Sequence, residues 1–150
     1  DDYVFCRAVG KSGKESYMVM QEKKSEKYLG GVLSIAQNLA AISKKVNLLT
    51  SIGSINNYQK KIKKELKRNI NFNFVKKKGV STIIKKRFIE EVDNTKLLGI
   101  YTIDDDDYSI SDSRLLIRYL KNISKSSNLI IVSDYGHGFF NKKKRKEIYN

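Results

Sequence analysis

The sequence predicts an α/β fold, a ribbon of mostly parallel strands flanked by helices with a small β lid beside it, on three observations. Short apolar runs alternate with amphipathic stretches along the chain, the rhythm of strands that cross over through helices to a largely parallel sheet. The runs 46–52 and 128–132 are β-rich or continuously apolar and too short for helices, as expected of strands covered on both faces. The stretches 81–92 and 97–103 break this rhythm and read as neighbouring strands joined by Asp93-Asn94-Thr95-Lys96, a run of turn formers.

Taken in order, 17–21 reads as a further lid strand. Leu33, Ala36 and Ala40 then form an apolar stripe on a helix from about Val32 to Ser43. The strand at 46–52 ends at Gly53. Ile62 and Leu66 mark a lysine-coated helix from about Gln59 to Arg68, and 71–75 reads as a short strand. Asp112 is expected to cap a third helix whose Leu115, Leu116, Tyr119, Leu120 and Ile123 face the sheet. The sequence starts on Asp1 without a Met, and 141–150 reads as the first turns of a helix with no stop signal. The expectation is that both ends are cut.

With 150 residues and 40% hydrophobic content, one buried core and one domain are expected. The single Cys6 excludes a disulfide within the chain, and no charged-then-apolar leader or long apolar run stands in it. A reducing cytoplasm is therefore the expected setting, without a membrane. The net charge of +14, from 30 Lys and Arg against 16 Asp and Glu, would concentrate any polyanion. Lys far outnumbers Arg, is spread along the chain, and accompanies abundant Asn and Ile with no Pro. That pattern favours an AT-rich coding bias over a dedicated nucleic-acid surface, where planar Arg chemistry is the rule. A phosphorylated small substrate would also suit the positive field.

Gly10-Lys11-Ser12 resembles the end of a P-loop, but that motif needs a Gly where Phe5 stands, so a polar turn is the better reading. The acidic run 104–107 is followed by Tyr108, where a calcium loop needs an oxygen ligand. A solvated acidic turn is expected there and no metal. Gly30-Gly31 joins an extended segment directly to an amphipathic helix, so the open N–H groups of the helix start could meet hydroxyl or anionic oxygens, or the pair could serve only the turn. Ser133-Asp134-Tyr135-Gly136-His137-Gly138 follows the apolar run ending at Val132, the place where ligands bind in open α/β sheets. Asp134 could accept from sugar hydroxyls there, or merely cap a following helix, with His137 an ordinary loop residue.

Together these pieces resemble the ribokinase-like (PfkB) carbohydrate kinases, and within them the branch acting on heptose phosphates. The resemblance is carried, in order, by Asp2-Tyr3, Leu29-Gly30-Gly31, Ala36-Gln37-Asn38-Leu39-Ala40, Leu48 to Gly53, Ser81 to Ile89 with Arg87 on the flap strand, and Ser133 to Gly138. It implies that Asp2 holds sugar hydroxyls, that Gly30, Gly31 and Ser34 line the sugar site, and that Arg87 reaches toward the substrate or its phosphate. Asp134, Tyr135, Gly136 and His137 would line the other side.

The implied activity is transfer of the ATP γ-phosphoryl group to a sugar hydroxyl with Mg²⁺, toward nucleotide-activated sugars or surface-polysaccharide precursors. A homodimer through the β lid and a fused or partner nucleotidyltransferase are the implied partners, with no specific nucleic acid. Ser34 replaces the family's usual Asn, and His137 its usual Lys. The family's later Gly-Ala-Gly-Asp element, with the catalytic base and nucleotide site, has no counterpart in these residues, so the 150-residue chain is expected to be inactive alone. The competing readings are a basic nucleic-acid-binding domain and a degenerate kinase fold used as a binding module.

Overall fold

The computed structural model describes residues 1–104 and 106–139, which fall into two compact units. The first comprises residues 1–28 and 84–102, and the second, among the described residues, 29–83, 103–104 and 106–139. The helix expected at 141–150 lies outside the described residues. The described chain is α/β, with three helices and both parallel and antiparallel pairings. No helix among the described residues is long and apolar enough to cross a membrane.

The first unit is a four-stranded sheet in the order β2-β1-β5-β6. Strand β1 (Asp2–Lys11) pairs antiparallel with β2 (Met18–Lys27) and parallel with β5 (Ile84–Glu90), which pairs antiparallel with β6 (Lys96–Thr102). The three expected lid strands are present with shifted bounds, and β1 joins them in the middle of the sheet. The expected hairpin forms between β5 and β6: Asp93 Oδ1 accepts from Thr95 N at 2.8 Å, and Asn94 takes a left-handed φ of 60°. Val4, Cys6 and Ile89 are its buried apolar residues. Burial, and secondarily Glu22, pushes the Cys6 thiol up, so it stays protonated and packs as a small apolar group.

The second unit is built on a two-stranded parallel ladder, β3 (Val46–Ile55) on β4 (Ile70–Ser81), joined through helix α2 (Gln59–Glu65). Helix α1 (Val32–Ile42) lays Ala36 and Ala40 on Leu48 and Ile70, with Val32, Leu33, Val46, Leu66 and Phe72 packed around them. Two side chains close the polar ends of this layer. Asn69 Nδ2 donates to the carbonyls of Ala40 and Ser43, both at 2.9 Å, satisfying groups that the end of α1 leaves open. Gln37 clamps α1 to the end of α2, its amide donating to Glu65 O at 2.8 Å and accepting from Lys67 N at 3.0 Å.

Four expectations are corrected. Strand β4 runs from Ile70 to Ser81, well past 71–75, because the parallel pairing with β3 continues through Lys77 and satisfies a polar stretch of backbone. Helix α3 (Ile110–Ser124) is capped by Ser109, whose hydroxyl accepts from Asp112 N at 3.1 Å, so Asp112 sits in the first turn and is buried. Leu116 is its fully buried residue. Residues 128–132 form no strand: they have no ladder partner among the described residues, and Leu129 to Val132 stand 43–75% exposed. An apolar run supplies burial energy for a strand only where a neighbour accepts its hydrogen bonds. Finally, the pairing is not mostly parallel: two of the four ladders are antiparallel, and the strands fall into two separate sheets.

Gly53 is where β3 meets the end of β4. Its N–H donates to Thr82 Oγ1 at 3.1 Å, and a Cβ built on it would stand 2.3–2.4 Å from backbone atoms of Val80, Ser81 and Thr82. Gly53→Ala must therefore push apart two paired strands, and thermal unfolding should show a loss of about 1–3 kcal/mol or more. A melting temperature equal to that of the parent would mean the strands part freely there.

Candidate functional site

The sequence's candidate residues divide between the two units. Asp2 and Arg87 lie in the first, and Gly30, Gly31, Ser34, Asp134, Tyr135, Gly136 and His137 in the second.

In the second unit the two loops singled out in the sequence meet. Gly31 is the N-cap of α1 with φ 54° and ψ −132°, a conformation open to glycine, and no side chain caps the helix there. A Cβ built on Gly31 would lie 3.7 Å from Cε2 of Tyr135, so the ring of the 133–138 loop rests beside the helix start. The loop itself is a tight turn: Asp134 Oδ1 accepts from Gly136 N at 2.9 Å, and Gly136 takes φ 76°. Asp134 and Tyr135 are exposed and His137 is half-buried. Ser34 lies half-buried in α1, one turn past Gly31. This arrangement brings a carboxylate, an exposed aromatic ring and the amide-rich start of a helix to one place, the group types that hold a polyhydroxylated ligand.

The loop's far end is tied down by residues the sequence reading missed. Phe139 stacks edge-on against Tyr108, ring centroids 5.7 Å apart at 88°. The Tyr108 hydroxyl is hydrogen-bonded to Ser51 of β3, and Lys77 Nζ of β4 sits 5.1 Å from the ring centroid. Lys77, 8% exposed, is in turn paired with Asp104 Oδ1 at 2.5 Å and donates to the carbonyl of Asp106. The acidic run is thus not wholly solvated, since Asp104 serves as the counter-charge of a buried lysine. Burial pushes the Tyr108 phenol up, the Ser51 hydrogen bond pulls it down, and Asp104 and Asp112 push it further up. The one signal for this cluster in the sequence is an acid run placed just before a helix. Among the described residues no group of three or more His, Cys, Asp or Glu could hold a metal ion.

In the first unit Asp2 and Arg87 point to opposite faces. Asp2 is in register with Lys27 and Lys86, while Arg87 is opposite Tyr3, and successive residues of a strand alternate between faces. The Arg87 guanidinium lies 5.5 Å from the Tyr3 ring centroid and 5.6 Å from that of Tyr101, and Nη1 donates to Asp1 Oδ1 at 2.7 Å. Asp2 Oδ2 stands 3.8 Å from Lys27 Nζ. A ligand on one face of this sheet therefore meets Asp2 or the Arg87 stack, not both.

No family model matches the chain. Over 152 aligned residues, covering the whole chain, it is 28% identical to the bifunctional protein HldE of Aliarcobacter butzleri (strain RM4018). The chain spans 31% of the length of that curated relative.

Two outcomes test this description. Lys77, first by its hydrogen bond, holds the Asp104 carboxyl below the usual aspartate range. A depressed folded-state value means that the unfolded chain binds the proton first as pH falls, so the pair's stabilisation is complete above the ordinary aspartate range and disappears on acidification through and below it. Asp104→Asn should flatten that acid limb in pH-dependent melting, and an unchanged slope would show that the pair carries no linkage. Arg87→Lys keeps the charge but loses the planar guanidinium held near the Tyr3 and Tyr101 rings, and chemical denaturation should register a loss of about 1–2 kcal/mol. Equal stability would make the two ring contacts incidental.

Proposed function

We propose that this chain is the sugar-binding part of an ATP-dependent kinase acting on a heptose-like sugar phosphate, a ribokinase-like enzyme of cytoplasmic sugar-precursor synthesis. The observation that carries the reading is the approach of Tyr135 to Gly31, which joins the two loops that the sequence resemblance assigns to one sugar. The similarity to a bifunctional HldE along the whole chain supports it.

In this reading the loops hold and orient the sugar. Asp134, tethered in its turn, accepts from sugar hydroxyls, and the amides at the start of α1 donate to ring or anionic oxygens. Tyr135 offers an apolar surface to the ring, and Ser34 and His137 border the site. Holding the acceptor hydroxyl in one orientation is the chief service a protein gives to phosphoryl transfer, since proximity alone can supply several kcal/mol.

This proposal assigns ATP and Mg²⁺ to residues other than those described. Among the described residues no group of three or more His, Cys, Asp or Glu could hold a metal ion, and Gly10-Lys11 end strand β1 where a phosphate-binding loop would need a glycine in place of Phe5. Within the first unit, Arg87 stiffens its face of the sheet through Tyr3, Tyr101 and Asp1 rather than reaching out freely. A homodimer through the outer strand β6, whose Leu98 and Ile100 are exposed, and a nucleotidyltransferase partner complete the proposal.

Calorimetric titration of the 150-residue chain with a heptose phosphate such as sedoheptulose phosphate should show saturable binding. Asp134→Asn keeps an oxygen for the Gly136 amide, so the melting temperature should hold while affinity falls about tenfold, the value of a charge-assisted hydrogen bond. Unchanged affinity would reduce Asp134 to a turn former. With ATP present the chain should release no ADP, and turnover by these residues alone would overturn the division of labour.

A further inference from the structure

We propose that the outer face of α3 is a docking surface for the phosphate backbone of a nucleic-acid duplex, held without regard to base sequence. Arg114, Arg118, Lys121 and Lys125 are all exposed. On an α-helix their spacing keeps them within about 60° of one another around the axis and spreads them along about 16 Å of it. Lys125 caps the helix with helical backbone angles, so it continues the row. The buried Asp112 and Leu116 lie on the opposite side. Together with Ile117 and Asn122 the four cations line one shallow groove.

Among the described residues the ion pairs engage Arg7, Lys24, Lys27, Lys61, Lys77 and Arg87, and none of the four cations of α3. The helix carries a single acid, Asp112, which is buried in its first turn. Scattered lysines give only a field, whereas α3 sets two guanidinium forks one turn apart in line with two ammonium groups, and each fork can take two oxygens of a phosphate. The lysines of α2 lack this order: no arginine stands among them, and Lys61 is paired with Glu65. The polarity of the α3 face selects its occupant. From Ser111 to Lys125 every exposed residue is polar, and the one exposed apolar residue, Ile110, stands at the first helical position. A protein partner needs apolar or aromatic anchors at the centre of its contact, and a membrane-lying helix needs an apolar face to insert. The apolar side of α3, with Leu116, is instead packed against β3 and β4. Single strands are held by stacking on aromatic rings, and no ring is exposed along this helix. A duplex asks for cations alone, since it offers a phosphate charge about every 1.7 Å of its axis.

This surface uses none of the sugar-loop residues, so it stands or falls apart from the sugar-binding reading. Fluorescence anisotropy of the 150-residue chain with a labelled DNA duplex of arbitrary sequence should show binding that weakens with salt. Changing Arg114, Arg118, Lys121 and Lys125 together to Gln should lower affinity about tenfold or more and reduce the slope of log K against log salt by up to about 3.6, the value for four phosphate contacts. The matched control removes the same charge from α2, by changing the exposed Lys60, Lys61, Lys63 and Lys64 to Gln, and should lose distinctly less. Equal losses in the two variants would overturn the proposal by reducing the binding to a general field, as would a parent chain that binds no duplex. Binding to equimolar phosphatidylserine and phosphatidylcholine vesicles or to polyglutamate that depends on α3, with duplex binding indifferent to it, would give the face to another partner and overturn it as well. Circular dichroism checks that both variants fold. Where the α3 variant does not, Arg114→Gln with Arg118→Gln against Lys60→Gln with Lys63→Gln decides by the same comparison.

Discussion

The parallel register of β3 on β4 sets the place of everything in the larger unit. Val46 stands opposite Ile70, and the pairing runs without a break until Gly53 stands opposite Lys77. Val46, Leu48, Ile70 and Phe72 therefore face α1, and Ser51 and Lys77, at odd-numbered positions, face Tyr108 on the other side. A slip of one residue would carry Lys77 under α1 and Phe72 to the opposite side. Lys77 is tolerated inside only because Asp104 and a backbone carbonyl meet its charge, and removing one partner of such a pair leaves a buried charge alone. At the strand's end, the lack of a side chain at Gly53 lets the two backbones close.

How much of this could be read from the residues depends on whether the cause was local. Helices α1, α2 and α3 were legible because their apolar residues recur at helical spacing, and their expected bounds differ from the observed ones by a few residues. The β5–β6 hairpin was legible because Asp93 and Asn94 favour the turn by themselves. Strand β4 was underestimated, since Lys76-Lys77-Lys78 looks like solvent-facing polymer until a partner strand is laid beside it. The run Leu129 to Val132 misled in the opposite sense: composition speaks for burial, but backbone pairing is a long-range fact that composition does not hold. Between Ser109 and Asp112 either residue type can cap, and only the geometry, Ser109 Oγ accepting from the amide three residues on, selects one.

The same division holds at the candidate site. Gly30-Gly31 and Ser133 to Gly138 were legible as loops because glycine marks backbone that other residues avoid. Their meeting through Gly31 and Tyr135 was suggested only by resemblance, since they are separated by the whole core unit. The Ser51, Lys77, Asp104 and Tyr108 cluster was missed because each member looks ordinary in its own segment: a strand serine, one lysine of three, one aspartate of four, and a tyrosine. The opposed faces of Asp2 and Arg87 follow from alternation once β1 is known to lie beside β5. Without that pairing the two residues can be imagined side by side.

In a chain of net charge +14, the carboxylates carry more information about a ligand than the lysines do. Lysines spread over many surfaces attract an anion from every direction and orient it in none. Several carboxylates are committed to cations: Asp104 to Lys77, Asp1 to Arg87, Glu91 to Arg7 and Glu26 to Lys24. Asp134 stands exposed in a turn beside the helix start, where its Oδ1 accepts from Gly136 N. A phosphate could not lie on it without like-charge repulsion, whereas hydroxyls can donate to it. In the sugar-binding reading the polarity of the ligand follows: its hydroxyl-rich portion lies against Asp134, and its phosphate points toward the amides of α1 or the surrounding positive field.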